Sequence, residues 1–234
     1  MDHALLKLMH DTEDSWWYRG RISIVRSALS RAHTPKRNTA LDLGAGYGGM
    51  CVLLKKYADD IDAFEPDREA MQELAHRGYR HIYTDVTQAL TEKHDMIGLF
   101  DVLEHIENDG DMLTRLRNSL TEDGVLVLTV PSYQWLWSAH DERNRHFRRY
   151  RARELRRKLV ESGFEVRVIG YWNAVLFPVA ALARLCGVAG ESGLSPGSFI
   201  NVVLLQLIRL EAFMTRVVSL PFGLSLIAVA VRKK

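Results

Sequence analysis

The stretch ALDLGAGYGGM, residues 40–50, decides how the rest of the chain is read. Its first four residues are an apolar run that suits a buried strand. Gly44, Gly46, Gly48 and Gly49 follow at once, and the helical pattern resumes after them. A strand that ends in glycines and opens a helix makes a sharp turn whose backbone can approach a ligand closely, because no side chains stand in the way.

The same rhythm continues outward from that turn. Further apolar runs bounded by turn residues lie at 61–65, 80–84, 96–102, 124–130, 164–172 and 223–231, and with 39–43 they predict seven strands. Helical stretches separate them, including one closed by Gly78, one from Asp111 closed by Gly124, and one with Leu155 and Leu159 four residues apart. Alternation at this spacing argues for an α/β fold, a parallel sheet with helices on both faces.

Composition narrows the class. The chain has 234 residues, 47% of them hydrophobic and 26% charged, with a net charge of +2. These are ordinary globular values, and such a charge gives no case for nucleic acid as a partner. Two cysteines, Cys51 and Cys186, are too few for a disulfide framework. Acids interrupt the first twenty residues where a signal peptide needs an apolar core, so the expected location is cytoplasmic. Between Arg143 and Lys158 there are nine Arg or Lys residues. They are read first as a solvated face, and second as a contact for an anionic substrate or a membrane surface.

Carboxylates stand where the predicted strands end. Glu65 closes the second strand, placed to accept the hydroxyl hydrogens of a bound nucleoside, and Asp85 follows the third. Asp42 ends the first strand and can face an ammonium group. After the fourth comes FDVLEHIEN, residues 100–108. LDLGAGYG and DVLEH at this distance resemble the class I S-adenosylmethionine-dependent methyltransferases. The resemblance implies a seven-stranded Rossmann-like sheet, mostly parallel with an antiparallel last strand, and S-adenosyl-L-methionine as cofactor. It places Asp42, Gly44, Ala45, Gly46, Tyr47, Glu65, Pro66, Asp85, Val86, Phe100, Asp101 and Val102 around that cofactor. Glu65 would take the ribose and Asp85 the adenine. A W-W-Y segment like residues 16–18 caps the pocket in relatives, which brings in Trp17, Tyr18 and Arg21, the last as a partner for the methionine carboxylate.

Asp101, Glu104 and His105 form a D-x-x-E-H cluster, and the expectation is that it shapes the pocket floor without a metal. An acceptor hydroxyl benefits from a base near neutral pKa. His140 is the first candidate and His146 the second, in the segment after the fifth strand. The expected organisation is a single domain: a helical cap (1–36), the core (37–172), an apolar helical insert (173–222) and the last strand (223–234). Gln206, Arg209, Glu211 and Arg216 make the insert a poor membrane span. Its expected place is a lid that favours a hydrophobic or lipid-linked acceptor, with peripheral membrane contact or a homodimer through 174–218 as other uses. The function expected is methyl transfer, preferably to oxygen. The alternatives are an NAD(P)-dependent oxidoreductase, since G-x-G-x-x-G is formally present, and a degenerate membrane-associated binding protein.

Overall fold

A computed structural model describes residues 15–185 and 199–233. Residues 1–14, residues 186–198, which include Cys186 and the middle of the insert, and residue 234 lie outside the described residues. Seven strands form one sheet: β1 (Arg37–Leu43), β2 (Ala58–Phe64), β3 (Ile82–Tyr83), β4 (His94–Phe100), β5 (Leu120–Pro131), β6 (Phe164–Trp172) and β7 (Ser225–Arg232). Their order is β3-β2-β1-β4-β5-β7-β6. Strand β7 runs antiparallel between β5 and β6, and the other pairs are parallel.

Both faces of the sheet are covered, so neighbouring strand residues go to opposite cores. Ala40, Met96 and Val125 belong to one apolar cluster with Ile24, Val25 and Leu29. Leu41, Ile97 and Leu126 belong to the other, with Leu113, Leu116, Leu155 and Leu159. That is why these strands read as continuous apolar runs rather than alternating ones. The first cluster lies under helix α1 (Trp16–Arg31) and the second under α5 (Asp109–Ser119) and α7 (Ala152–Glu161).

Two boundaries differ from expectation. The glycine turn opens only a four-residue helix, α2 (Cys51–Leu54), because β2 begins at Ala58, earlier than the apolar run indicated. The helix expected to run to Gly124 ends at Ser119, where β5 starts. His94 pairs with Leu120 but Met96 pairs with Val125, so residues 121–124 bulge out of the strand. A Cβ at Gly124 would stand 2.8 Å from the Leu120 side chain, so glycine permits the bulge rather than capping a helix. Three short helices complete the connections, α3 (Arg68–Leu74), α4 (Val86–Ala89) and α6 (Ala139–Arg143). Arg151 caps α7 without a side-chain bond, and the Tyr171 hydroxyl takes its place, accepting from the Ala152 amide at 3.1 Å.

The insert forms α8 (Phe177–Leu185) and α9 (Phe199–Met214). Helix α9 packs against α1. Gly20 makes the close approach, since a Cβ there would meet Ile208 Cγ2 at 2.7 Å. Ser27 Oγ donates to the Ala212 carbonyl at 2.6 Å, and Trp16 N donates to Asn201 Oδ1 at 2.7 Å. Glu211 is buried. Its carboxylate accepts from the backbone amides of Asn173, Ala174 and Val175, where the chain leaves β6. Burial pushes this carboxyl above its usual range, against those three amides.

Stripping the acceptors from that junction leaves buried amides unsatisfied, at about 1–3 kcal/mol for each such group. Glu211→Ala should therefore cost about 3 kcal/mol in urea unfolding, with Glu211→Gln losing less. An alanine variant as stable as the parent would mean that the carboxylate does not hold this junction.

Candidate active site

The site lies beyond the carboxyl ends of β1, β2, β4 and β5, the crevice where open α/β sheets bind ligands. The glycine loop after β1 turns through positive φ at Gly44 (78°) and Gly46 (55°), a region that disfavours side chains. Gly44 is also tight, because a Cβ there would lie 2.6 Å from Val102 Cγ2. The loop therefore sits directly on the segment after β4. From β2, Glu65 accepts from Gly46 N at 2.7 Å and Asp67 N at 3.0 Å. Burial raises its pKa, opposed by those two amides. A buried carboxylate held against a glycine-rich loop fits a nucleoside diol, which donates two hydrogens.

Asp42 is buried and accepts from the Tyr79 hydroxyl at 2.7 Å. Burial pushes its carboxyl up to about 6. Tyr79 carried no signal in the sequence, because only the fold brings the turn before β3 next to β1. Asp85 is exposed and caps α4, accepting from Thr87 N at 2.7 Å. Pro66 is exposed, Ala45, Val86 and Val102 are half-buried, and Tyr47 and Phe100 are buried.

Arg21 is buried on α1 and pairs with Asp101 at 2.7 Å, while its guanidinium lies 4.7 Å from the centre of the Tyr18 ring. Its Nε has no partner among the described residues. Asp101 also accepts from Thr129 Oγ1 at 3.0 Å, tying the ends of β4 and β5 together. In this structure the partner of Arg21 is thus an acid of the protein. Trp17 packs on Trp172, with ring centres 4.7 Å apart.

The histidines divide. His140 is exposed and bonds to Asn144, with Nε2 and Nδ2 3.1 Å apart. His146 stands 4.5 Å from His105, ring centre to ring centre, beside the short 3-10 turn Leu103–His105. The Phe147 amide ties the two segments, donating to the Glu104 carbonyl at 2.8 Å. Nδ1 of His146 lies 2.9 Å from Asp141 Oδ1. Asp141 takes a second clamp from Arg149, whose Nε and Nη2 stand 2.7 and 2.9 Å from its oxygens. Burial works to raise the Asp141 pKa, but the His146 and Arg149 bonds hold it well below the usual carboxylate range. A charged carboxylate on Nδ1 leaves Nε2 as the free lone pair. Asp141 and His146 are five residues apart, a spacing that matches no helical or strand period, so their pairing was not legible.

Glu104 is buried, its Oε2 has no partner among the described residues, and burial with Asp101 nearby raises its pKa. Ligand atoms of Glu104, His105 and His146 all lie within 4.8 Å of one another, so this group could hold a divalent ion. The basic run is partly spent on structure: Arg148 and Lys158 pair with Asp109 at 3.1 and 2.8 Å.

A seven-stranded sheet with a reversed seventh strand, a glycine loop and an acid closing β2 together define a class, the S-adenosylmethionine-dependent methyltransferases. Comparison with known proteins agrees. The model of the methyltransferase domain family matches residues 17–168, and the chain belongs to that family. A ribosomal protein L11 methyltransferase from Campylobacter concisus (strain 13826) is 29% identical over 110 residues, 43% of this chain and 38% of that protein. The match thus spans well under two thirds of that relative. Among solved structures, the complex of the Haloferax volcanii Trm112 methyltransferase activator with a methyltransferase has a chain at TM-score 0.64 and 15% identity, covering 99% of this chain and 95% of that one. The plantazolicin methyltransferase BamL, solved with a triazolic desmethylPZN analog and SAH, aligns at TM-score 0.62 and 15% identity over 99% and 91%. These structures share the fold. The nicotinamide reading of the glycine pattern is not favoured.

Burial, and then His146, lower the pKa of His105 from 6.5 to about 4. Between those values the unfolded chain binds more protons than the folded one, so stability falls as pH drops through that window. Urea midpoints at pH 7 and pH 5 should show this loss, and His105→Asn should reduce it. An equal loss in the variant would place the proton uptake elsewhere.

Proposed function

We propose that the protein transfers the methyl group of S-adenosylmethionine to a hydroxyl of a small, largely apolar or lipid-linked acceptor, with His146 as the base. The observation that carries this reading is the Asp141–His146 pair, held against the segment that the glycine loop also touches. The donor, once bound, supplies an electrophilic methyl on a sulfonium with a good leaving group. Gly44, Ala45, Gly46 and Glu65 would hold it, with Asp42 facing its ammonium and Asp85 its adenine. Nε2 of His146 takes the acceptor proton as the oxygen–methyl bond forms and the carbon–sulfur bond breaks. Asp141 keeps the lone pair on Nε2 and stabilises the imidazolium that results. In a dry pocket, in-line positioning supplies most of the acceleration.

The preference for an apolar acceptor rests on an aromatic cluster next to this segment. Tyr133 follows Ser132, whose carbonyl accepts from Arg149 at 3.3 Å. Its ring stacks on Tyr171 with centres 5.1 Å apart. Trp135 and Phe177 lie 5.9 and 5.5 Å from Tyr133, and Phe222 lies 5.3 Å from Phe177. The insert thus contributes Phe177 and Phe222 to a wall beside the loop that carries His146.

Two experiments separate the cofactor half from the chemical half. In a calorimeter the protein should bind S-adenosylhomocysteine and ignore NAD. Gly46→Asp, which sets a second carboxylate beside Glu65, should weaken that binding at least about a hundredfold without unfolding the sheet. Unchanged affinity would make the glycine loop a mere turn. His146→Asn should lower kcat by about 10²–10⁴-fold, the usual contribution of a general base, with little change in S-adenosylhomocysteine affinity. Retention of full kcat would remove His146 from the chemistry.

A further inference from the structure

We propose that the outward face of α8 and α9 docks the protein onto an anionic phospholipid bilayer, an inference independent of the identity of the methyl acceptor. Helix α9 spends one stripe, Leu205, Ile208, Glu211 and Ala212, on α1 and the core beneath it. Its opposite side is apolar and exposed: Phe199, Leu210 and Phe213 are 82%, 59% and 66% exposed, and Val217, just beyond the helix, is 80% exposed. On α8, Val179 and Leu182 are 68% and 63% exposed. Exposed apolar residues this large on two successive helices mark an interaction site.

Charge selects the occupant. Arg209 and Arg216 are exposed on or just beyond α9, and Arg19 and Arg26 are exposed on α1. The Arg216 guanidinium lies 5.7 Å from the centre of the Phe213 ring, so cation and apolar surface are contiguous. Helix α1 contains no acid, and the acid of α9, Glu211, is buried with its oxygens committed to backbone amides. The pair of helices therefore presents arginines at the edge of an apolar stripe with no exposed acid on either helix. A second copy meeting this face about a two-fold axis would set arginines near the same arginines without compensation. An anionic headgroup layer compensates them while the acyl region takes the phenylalanines and leucines. Spanning is excluded for α9, because no helix among the described residues is long and apolar enough to cross a membrane. The bilayer would then meet the protein on the side where Phe177 joins the aromatic wall.

The test is co-sedimentation of the full chain with phosphatidylcholine vesicles, with and without phosphatidylglycerol. The protein should partition onto the anionic vesicles, and added salt should release it. Arg209→Gln combined with Arg216→Gln should lower that partition about thirtyfold, as expected for two basic residues near an anionic surface. Leu210→Ser with Phe213→Ser should lower it as well. Circular dichroism and S-adenosylhomocysteine affinity should remain those of the parent, which separates failure here from failure of the fold or of the methyltransferase reading. Three results would overturn the proposal: no partition onto anionic vesicles, equal partition onto neutral ones, or a dimer in solution that the Leu210 and Phe213 substitutions dissociate.

Discussion

The interaction on which most of this structure hangs is the ion pair between Arg21 and Asp101. It joins the first helix to the carboxyl end of β4, and through Thr129 to β5, at the floor of the site. A buried pair of this kind is weak evidence of net stability, but removing one partner strands a charge, at about 3–5 kcal/mol. Its value here is positional. The pair fixes α1 over the sheet, and α1 in turn carries α9 through Gly20, Ser27 and the bond from Trp16 to Asn201. Asp101 accepts this role with a backbone φ of 61°, a conformation that aspartate tolerates better than most residues.

Electrostatics at the strand ends then sort the acids and bases by environment. Burial pushes the Asp42, Glu65 and Glu104 carboxyls upward, while Asp141, held by Arg149 and His146, is driven down. Asp141 thus keeps its charge, and it bonds Nδ1 of His146. Charged groups are retained in such a place only where hydrogen bonds replace the lost water. Each oxygen of Asp141 has such a bond, whereas Oε2 of Glu104 has no partner among the described residues.

Local pattern made much of the fold legible. The apolar runs placed all seven strands, and the glycines of residues 40–50 marked the turn that the ligand crevice is built around. Leu155 and Leu159, four residues apart, sit fully buried under β6 as their spacing required. The pattern failed where two local signals competed. Residues 120–124 end an apolar helical repeat and also start a strand, and pairing with β4 settled the matter for the strand. The role of Glu211 at the end of β6 was not legible, because no local pattern announces backbone amides that arrive from there.

The chain's own order of residues determined the strand-turn-helix rhythm, the glycine loop and the acid that closes β2, because each depends on neighbours a few positions apart. Only the tertiary structure decided that His146 rather than His140 meets Asp141, that Tyr79 reaches Asp42, and that the insert lies on α1. Those choices depend on which segments the sheet order brings together. Tyr79 and Asp42, like α1 and the insert, are far apart in the chain, and His146 and Asp141 stand at a spacing that no regular element favours, so propensity and periodicity carry no information about any of them.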